Sequence, residues 1–573
     1  MILLKSAAGR LAATICLCLA LASLPARAAG GNLAIEQYTL PNGLTVVLAP
    51  IPGAQRVTVV TAYKVGSADE PKGRSGFAHL FEHLMFEGTK AIPDFDKVAS
   101  AEGADTNAFT EWDNTVYHMT GPAQSLPQLL RLDADRMANL ANAVTQEDLN
   151  NQRDVIRNEM RERTLDQPGS AARLQAQSAL MGARHPYGHP TIGSVADLDA
   201  ATLADVQAFH RIYYVPSNAV LAISGKFDPA VAKDLVTRTF GLIPLRPAPS
   251  PSAAAYEQQP AASLDSTDGV ETPEVTMNWI SAKENTRDDE AASLLSYVLS
   301  SDAGPLYRKL VQETALATGA SCYADSRRLI GTFMCYAKAS KGTGAKALEA
   351  ALREALAEVV AKGIPQDQLQ AAAAAINSYY DSALSDPASM GIALAQWTAA
   401  TGEARSWRRY ADDASTFSAD DLIKSLAGII GSPAITAVAR PGPRNEKLPP
   451  VLADSTGTAE PLKAAPRDEV AIPEIADLAG GKLTFPAPQT FTLKDGLKVN
   501  VYASADTSTS SAALVLPQGT TLATKDKKGL VELAVDIGSR GAGEMSMAEL
   551  SLALDKAGTR TSGYASDHAA GLM

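Results

Sequence analysis

The segment Tyr38-Thr-Leu-Pro-Asn-Gly-Leu-Thr-Val-Val returns 453 positions later as Phe491-Thr-Leu-Lys-Asp-Gly-Leu-Lys-Val-Asn, and no other feature constrains the chain as much. The same offset lays Gly43 on Gly496, Gly76 on Gly529 and Gly88 on Gly541, in register over about 50 residues. Beyond Gly88 a two-residue slip aligns Gly103 with Gly558. A chain with this repeat is built from two like units. If the first ends near Arg440, a complete second copy would run to about residue 900. The sequence therefore reads as one unit followed by the truncated opening of another.

Two Pro/Ala/Ser-rich stretches, Ile243–Ser263 and Arg440 to about Gln489, lack apolar periodicity and read as linkers. Between them a strand-like segment, Val275–Ile280, alternates with helical ones at Asp289–Leu299, Leu306–Thr314 and Ala345–Lys362. This is an α+β pattern, with an antiparallel sheet covered by helices on one face expected in each of two domains per unit. The bounds implied are a first domain at 29–245, a second at 264–440, a linker at 441–485 and the start of a second unit at 486–573.

The balance of 63 acidic and 51 basic residues, with 46% hydrophobic and 20% charged positions, is that of a globular protein and excludes disordered or collagen-like chains. A net charge of −12 argues against nucleic acid as a partner. At the N-terminus, Lys5 and Arg10 precede an uncharged run from Leu11 to Leu24 and then Ala26-Arg27-Ala28, the form of a cleavable signal peptide over residues 1–28. The run is too short for a membrane span, which needs about 20 residues. The expected location is periplasmic or secreted. Cys16 and Cys18 fall within the signal, leaving Cys322 and Cys335 on two strand-like segments, Ser321–Ala324 and Thr332–Lys338, that can form a hairpin. An oxidising compartment favours a disulfide between them; two packed thiols are the alternative.

The chemistry is concentrated in Gly76-Phe-Ala-His79-Leu-Phe-Glu82-His83-Leu-Met-Phe. At 3.6 residues per turn His79 and His83 project from one helix face, with Glu82 beside them. Two imidazoles so placed can share one Zn²⁺ with a carboxylate near its open position. A hydrolytic zinc site usually takes a third protein ligand, and a second helix capped by Thr145 offers Glu147, Glu159 and Glu162. Spacing alone does not choose among them.

His79-x-x-Glu82-His83 is the inverted zinc motif of the inverzincins, and its flanks resemble the pitrilysin/insulinase family of zinc metallopeptidases. The matching segments are Leu40-Pro-Asn-Gly-Leu, Gly66-Ser-Ala-Asp-Glu, Phe86-Glu-Gly-Thr, Asn107-Ala-Phe-Thr and Arg153-Asp-Val-Ile-Arg-Asn-Glu159. The resemblance implies that His79, His83 and Glu159 are the ligands of one zinc per chain. It also implies a zinc-dependent endopeptidase in which Glu82 is the general base toward metal-activated water, with Asn107, Ala108, Phe109 and Thr110 on an edge strand that pairs with substrate. Small or unfolded polypeptides are the implied substrates, and a second copy of the chain or a partner half is expected to cover the first unit.

One position departs from the family, which often carries a second glutamate seven residues before the third ligand. Here it is Gln152, a neutral amide. In the second copy the 453 offset sets Glu532, Val535 and Asp536 against His79, Glu82 and His83, removing both imidazoles and the base. The competing reading is a catalytically weak or silent peptide-binding or assembly subunit. His185 and His189 are separated by a proline turn, His118 lies in a strand-like stretch, and His210 and His568 are isolated; none reads as a metal site.

Overall fold

Runs of β-branched and apolar residues build two sheets, each joined by long helical crossovers. The computed structural model describes residues 33–51, 53–444, 461–480, 487–494, 496–503 and 509–573. The signal-peptide reading of residues 1–28 and much of the 441–485 linker lie outside these residues.

The first sheet comprises β1 (Glu36–Thr39), β2 (Thr45–Pro50), β3 (Arg56–Tyr63), β4 (Asp105–Thr110), β5 (Thr115–Pro122) and β6 (Ala219–Gly225), in the order β1-β2-β6-β3-β5-β4. Helix α1 (Phe77–Leu84) lies between β3 and β4, and α2 (Leu126–Ala143), α3 (Gln146–Glu159), α4 (Ser170–Met181) and α5 (Leu203–Tyr213) lie in the long connection from β5 to β6. The second sheet holds β7 (Ala262–Thr267), β8 (Glu274–Ser281), β9 (Ala317–Asp325), β10 (Gly331–Ala339) and β11 (Ile435–Arg440), ordered β7-β11-β8-β10-β9. Its helices are α6 (Arg287–Ser300), α7 (Ala345–Lys362), α8 (Gln366–Ala383), α9 (Pro387–Thr401) and α10 (Ala419–Ile430). The stretch read as helical at Leu306–Thr314 is helical, an α turn at Pro305–Tyr307 continuing directly as a π-helical segment at Arg308–Glu313.

Neither sheet is wholly antiparallel. β2 runs parallel to β6, and β7 to β11. Each parallel neighbour arrives only after a long helical crossover, which is the connection such pairing needs. The one-face expectation is also incomplete. One face of the first sheet packs Val46, Leu48, Val57 and Val59 under Leu80, Phe81, Leu84 and Phe209 of its own helices. Its other face, with Val47, Val60, Val220 and Ala222, is covered by Met390, Leu394 and Ala395 of α9. In return, Ala172, Ala176 and Leu180 of α4 cover Ile435, Ala437 and Ala439 of the second sheet. Burying Met390 and Leu394 each contributes about 1.5–3 kcal/mol, so the two halves exchange one helix apiece.

The second Pro-rich stretch does not hang free where it is described. Residues 461–480 have no regular secondary structure but lie along the first half, with Ile472 and Ile475 buried in its core. Arg467 donates to the carbonyls of His210 (3.2 Å), Tyr214 (3.1 Å) and Arg211, capping the C-terminal end of α5. Gln128 Nε2 donates to Ile475 O at 2.8 Å.

Cys322 and Cys335 sit opposite one another in the β9–β10 ladder, both buried, with Cα atoms 4.1 Å apart and the sulfurs joined as a disulfide.

The repeat recurs as structure. β12 (Gln489–Thr492) pairs with β13 (Lys498–Val501) as β1 does with β2. β14 (Leu514–Leu516), β15 (Gly563–Ala565) and β16 (Ala570–Leu572) take the order β14-β16-β15, the counterpart of β3-β5-β4. Helices α11 (Leu530–Gly538) and α12 (Met547–Lys556) lie between them. Gly43 and Gly496 both have φ +89°, a turn conformation that favours glycine. α12 docks on α8, and Ser301 Oγ donates to Asp555 at 2.7 Å.

Candidate active site

Helix α1 begins at Gly76, whose φ of +91° ends the preceding loop, and its free N–H groups are met by Glu70. The Glu70 carboxylate accepts from Gly76 N at 2.8 Å and Ala78 N at 2.7 Å. Phe77, Leu80, Phe81 and Leu84 are fully buried, fixing the rotation of the helix so that His79, Glu82 and His83 share the opposite side. α3 starts in a capping box at Thr145 and Asp148 and is pinned by Leu149 and Ile156. It delivers Glu159 from its last turn.

Glu159 Oε2 lies 3.1 Å from His83 Nε2 and 3.6 Å from His79 Nε2. One donor atom from each of His79, His83 and Glu159 falls within 4.8 Å of the others. Donors about 2.0–2.1 Å from a tetrahedral ion stand roughly 3.3 Å apart, so the two separations to Glu159 suit zinc, as does a set of two imidazoles and one carboxylate. Among the described residues this is the one group of three or more His, Cys, Asp or Glu side chains so arranged. Glu82 Oε2 is 4.0 Å from His79 Nε2 and accepts from Thr110 Oγ1 at 2.6 Å.

The electrostatics follow from burial. Burial, reinforced by the neighbouring His83, lowers the His79 imidazole to about 4, favouring the neutral form that can ligate. Burial raises Glu82 above the usual carboxylate range, against the hydrogen bond from Thr110. Glu159 is held below that range, first by its hydrogen bond to His83. Its other oxygen, Oε1, pairs with Arg163 at 2.8 Å.

Asn107, Ala108, Phe109 and Thr110 lie on β4, the edge strand beside α1. Thr110 thus joins that edge to Glu82. Gln152 sits one step behind His83: His83 Nδ1 is 3.2 Å from Gln152 Oε1, and Gln152 Nε2 donates to Glu87 at 2.8 Å. Cys322 and Cys335 belong to the other sheet and take no part.

Sequence reasoning passed over Arg163, Glu87 and Glu70. Arg163 had a local signal, four residues after Glu159 with opposite charge. Glu87 and Glu70 fall in the matching segments Phe86-Glu-Gly-Thr and Gly66-Ser-Ala-Asp-Glu, but no role was assigned to them there. His210 is buried, with Nε2 against Arg136 O at 3.1 Å, and His185 caps a short turn at Pro186–Gly188.

Residues 45–193 match the profile of the insulinase family (peptidase family M16), and residues 200–376 that of the peptidase M16 inactive domain. The zinc protease PqqE of Helicobacter pylori is 30% identical over 336 residues, 57% of this chain and 75% of that protein. An uncharacterized zinc protease of Mycobacterium leprae is 30% identical over 361 residues, 61% of this chain and 77% of that protein. The crystal structure of a protease from Helicobacter pylori aligns with a TM-score of 0.66 at 25% identity, over 71% of this chain and 100% of that one. Pitrilysin shares the fold with a TM-score of 0.63 at 18% identity over 95% of this chain and 61% of its own, so the likeness extends into the repeat. No described helix is long and apolar enough to cross a membrane.

Proposed function

This chain belongs to the pitrilysin/insulinase family, peptidase family M16, and on that premise we propose that it is a zinc-dependent endopeptidase acting on small or unfolded polypeptides. The observation that carries the reading is the convergence of His79 Nε2, His83 Nε2 and Glu159 Oε2 with the Glu82 carboxylate alongside. His79, His83 and Glu159 hold the ion, one per chain. Bound there, zinc supplies Lewis acidity toward water and the peptide carbonyl. Glu82 takes the proton from the attacking water and returns it to the leaving amine, a role its raised affinity for a proton suits. Thr110 holds the Glu82 carboxylate in place.

The free edge of β4 supports backbone pairing with an extended peptide, which selects for chain conformation more than for side chains. Residues 107–110 are the pairing segment in this reading. A periplasmic or secreted setting rests on the signal-peptide pattern of residues 1–28. A silent peptide-binding subunit is the second reading, favoured by the neutral Gln152 behind His83.

Glu82→Gln separates the two. In an endopeptidase, zinc measured by elemental analysis stays at one per chain while peptide hydrolysis falls by about 10²–10⁴-fold. A silent subunit shows no hydrolysis in either form. Loss of zinc in Glu82→Gln would make Glu82 a ligand and overturn its assigned role.

A further inference from the structure

The two imidazoles of the site are supported unequally. His79 Nδ1 is buried and meets no hydrogen-bond partner among the described residues, whereas His83 Nδ1 faces the Gln152 side chain. An amide can present either its oxygen or its NH₂ group to a ring nitrogen, so Gln152 alone leaves the His83 tautomer undecided. Glu87 decides it. A carboxylate only accepts hydrogen bonds, so at 2.8 Å from Glu87 the Gln152 NH₂ must face Glu87. Gln152 Oε1 is then turned to His83, where it accepts only from a protonated Nδ1. In the neutral ring this leaves the lone pair on Nε2, the nitrogen that faces Glu159.

The backbone around Glu87 is closely packed. A side chain on Gly88 would come within 2.1 Å of Pro93 O, and Thr89 N donates to Ile92 O at 2.8 Å, closing the turn. Thr89 Oγ1 also hydrogen-bonds Asp135 of α2. Gln152 comes from α3, the helix that carries Glu159. The unit therefore ties the loop after α1 to the helix of the third ligand.

We propose that Glu87 and Gln152 form a positioning relay for His83, in which Glu87 orients the amide and the amide fixes Nε2 as the metal-ligating nitrogen. The negative charge that a glutamate would set against His83 is moved one side chain outward. This inference rests on the zinc-site reading above. Outer partners of this kind are worth about 10–100-fold in metal affinity.

The test is the zinc dissociation constant of the full chain, measured by competition with a chromophoric chelator, for wild type, Glu87→Gln, the double variant Glu87→Gln/Gln152→Glu, and His83→Ala. Glu87→Gln lets the two amides adopt either orientation and is expected to weaken zinc binding by about tenfold. The double variant exchanges amide and carboxylate, restores an obligate acceptor at His83, and is expected to recover affinity to within about threefold of wild type or better. Unchanged affinity in Glu87→Gln, or a double variant as weak as the single one, would overturn the relay. Equal zinc affinity in wild type and His83→Ala would instead overturn the zinc-site reading, and the relay with it. Thermal melting of the metal-free forms is expected to coincide; a lowered melt in Glu87→Gln that the double variant does not restore would assign Glu87 a merely structural role.

Discussion

Helices α1 and α11 stand at equivalent places in the repeat, and their starts are alike: Gly76 at φ +91° and Gly529 at φ +82°. Both carry an apolar stripe, Phe77, Leu80 and Leu84 in one and Leu530, Leu533 and Ile537 in the other. Their polar sides differ, His79, Glu82 and His83 against Glu532, Val535 and Asp536. Their surroundings differ too. The stripe of α1 is fully buried, while Leu530, Leu533 and Ile537 are 49%, 53% and 61% exposed. Scaffold and side-chain chemistry are thus separable: cap and stripe recur without the histidines, and the same stripe is buried only where other helices cover it.

The largest contrast is expected at the two histidines of α1. His79→Ala or His83→Ala should lose zinc and peptide hydrolysis together, because two remaining ligands hold the ion poorly. Glu532→Ala and Asp536→Ala should change neither, as read by elemental analysis and a quenched fluorescent peptide. Zinc lost from Asp536→Ala would break the comparison.

The glycine caps come next. An L-residue in the left-handed region costs about 1–2 kcal/mol, and Gly529→Ala should cost no more, since a side chain there meets nothing within 4 Å among the described residues. Gly76→Ala also drives a methyl to 2.8 Å from Ile192 O. Its total cost should be about 3 kcal/mol or more, seen as loss of amide-exchange protection across α1. Equal losses in both helices would show that the close approach to Ile192 relaxes freely.

Acidification sharpens the contrast more gently. Burial lowers the proton affinity of His79, His118, His185, His189 and His210 in the first unit, while the second copy has only His568. With the folded pKa depressed, the unfolded chain binds more protons below about 6.5, so the stability present at neutral pH is lost as pH falls through that value. The slope is at most about 1.4 kcal/mol per pH unit for each imidazole. The gain in protease susceptibility between pH 7 and pH 5 should therefore be larger in the first sheet, with His210 at its helices, than in α11 and α12. A larger gain in α11 and α12 would contradict the assignment of buried neutral imidazoles.

The smallest expected effect is none. Installing Glu532→His, Val535→Glu and Asp536→His together rebuilds the motif on α11 without a third ligand, and zinc should remain at one per chain. Two per chain would mean that one helix suffices.

What could be read from the residues divides by distance along the chain. The spacing of His79 and His83, the bounds of α7 and the facing of Cys322 and Cys335 each depend on neighbours within about one helix or hairpin, where periodicity leaves a trace. Glu159 needed the family resemblance, because Glu147 and Glu162 carry the same charge on the same segment. The parallel pairs β2–β6 and β7–β11 left no trace, since each depends on a strand far away in sequence. Nor did Glu87 with Gln152, or Arg467 under the carbonyls of α5, partners 65 and more than 250 positions apart.

The exchange of α4 and α9 also sets a timetable for folding. A polypeptide leaves the ribosome N-terminus first, at about 5–20 residues per second, yet the sheet beneath the zinc motif lacks its outer cover until Thr401 has emerged. Until then Val47, Val60 and Val220 face water, and no early intermediate can be both complete and dry. The strands of the first half must wait for a helix made after most of the second, so the two halves should melt in one calorimetric transition and not in two.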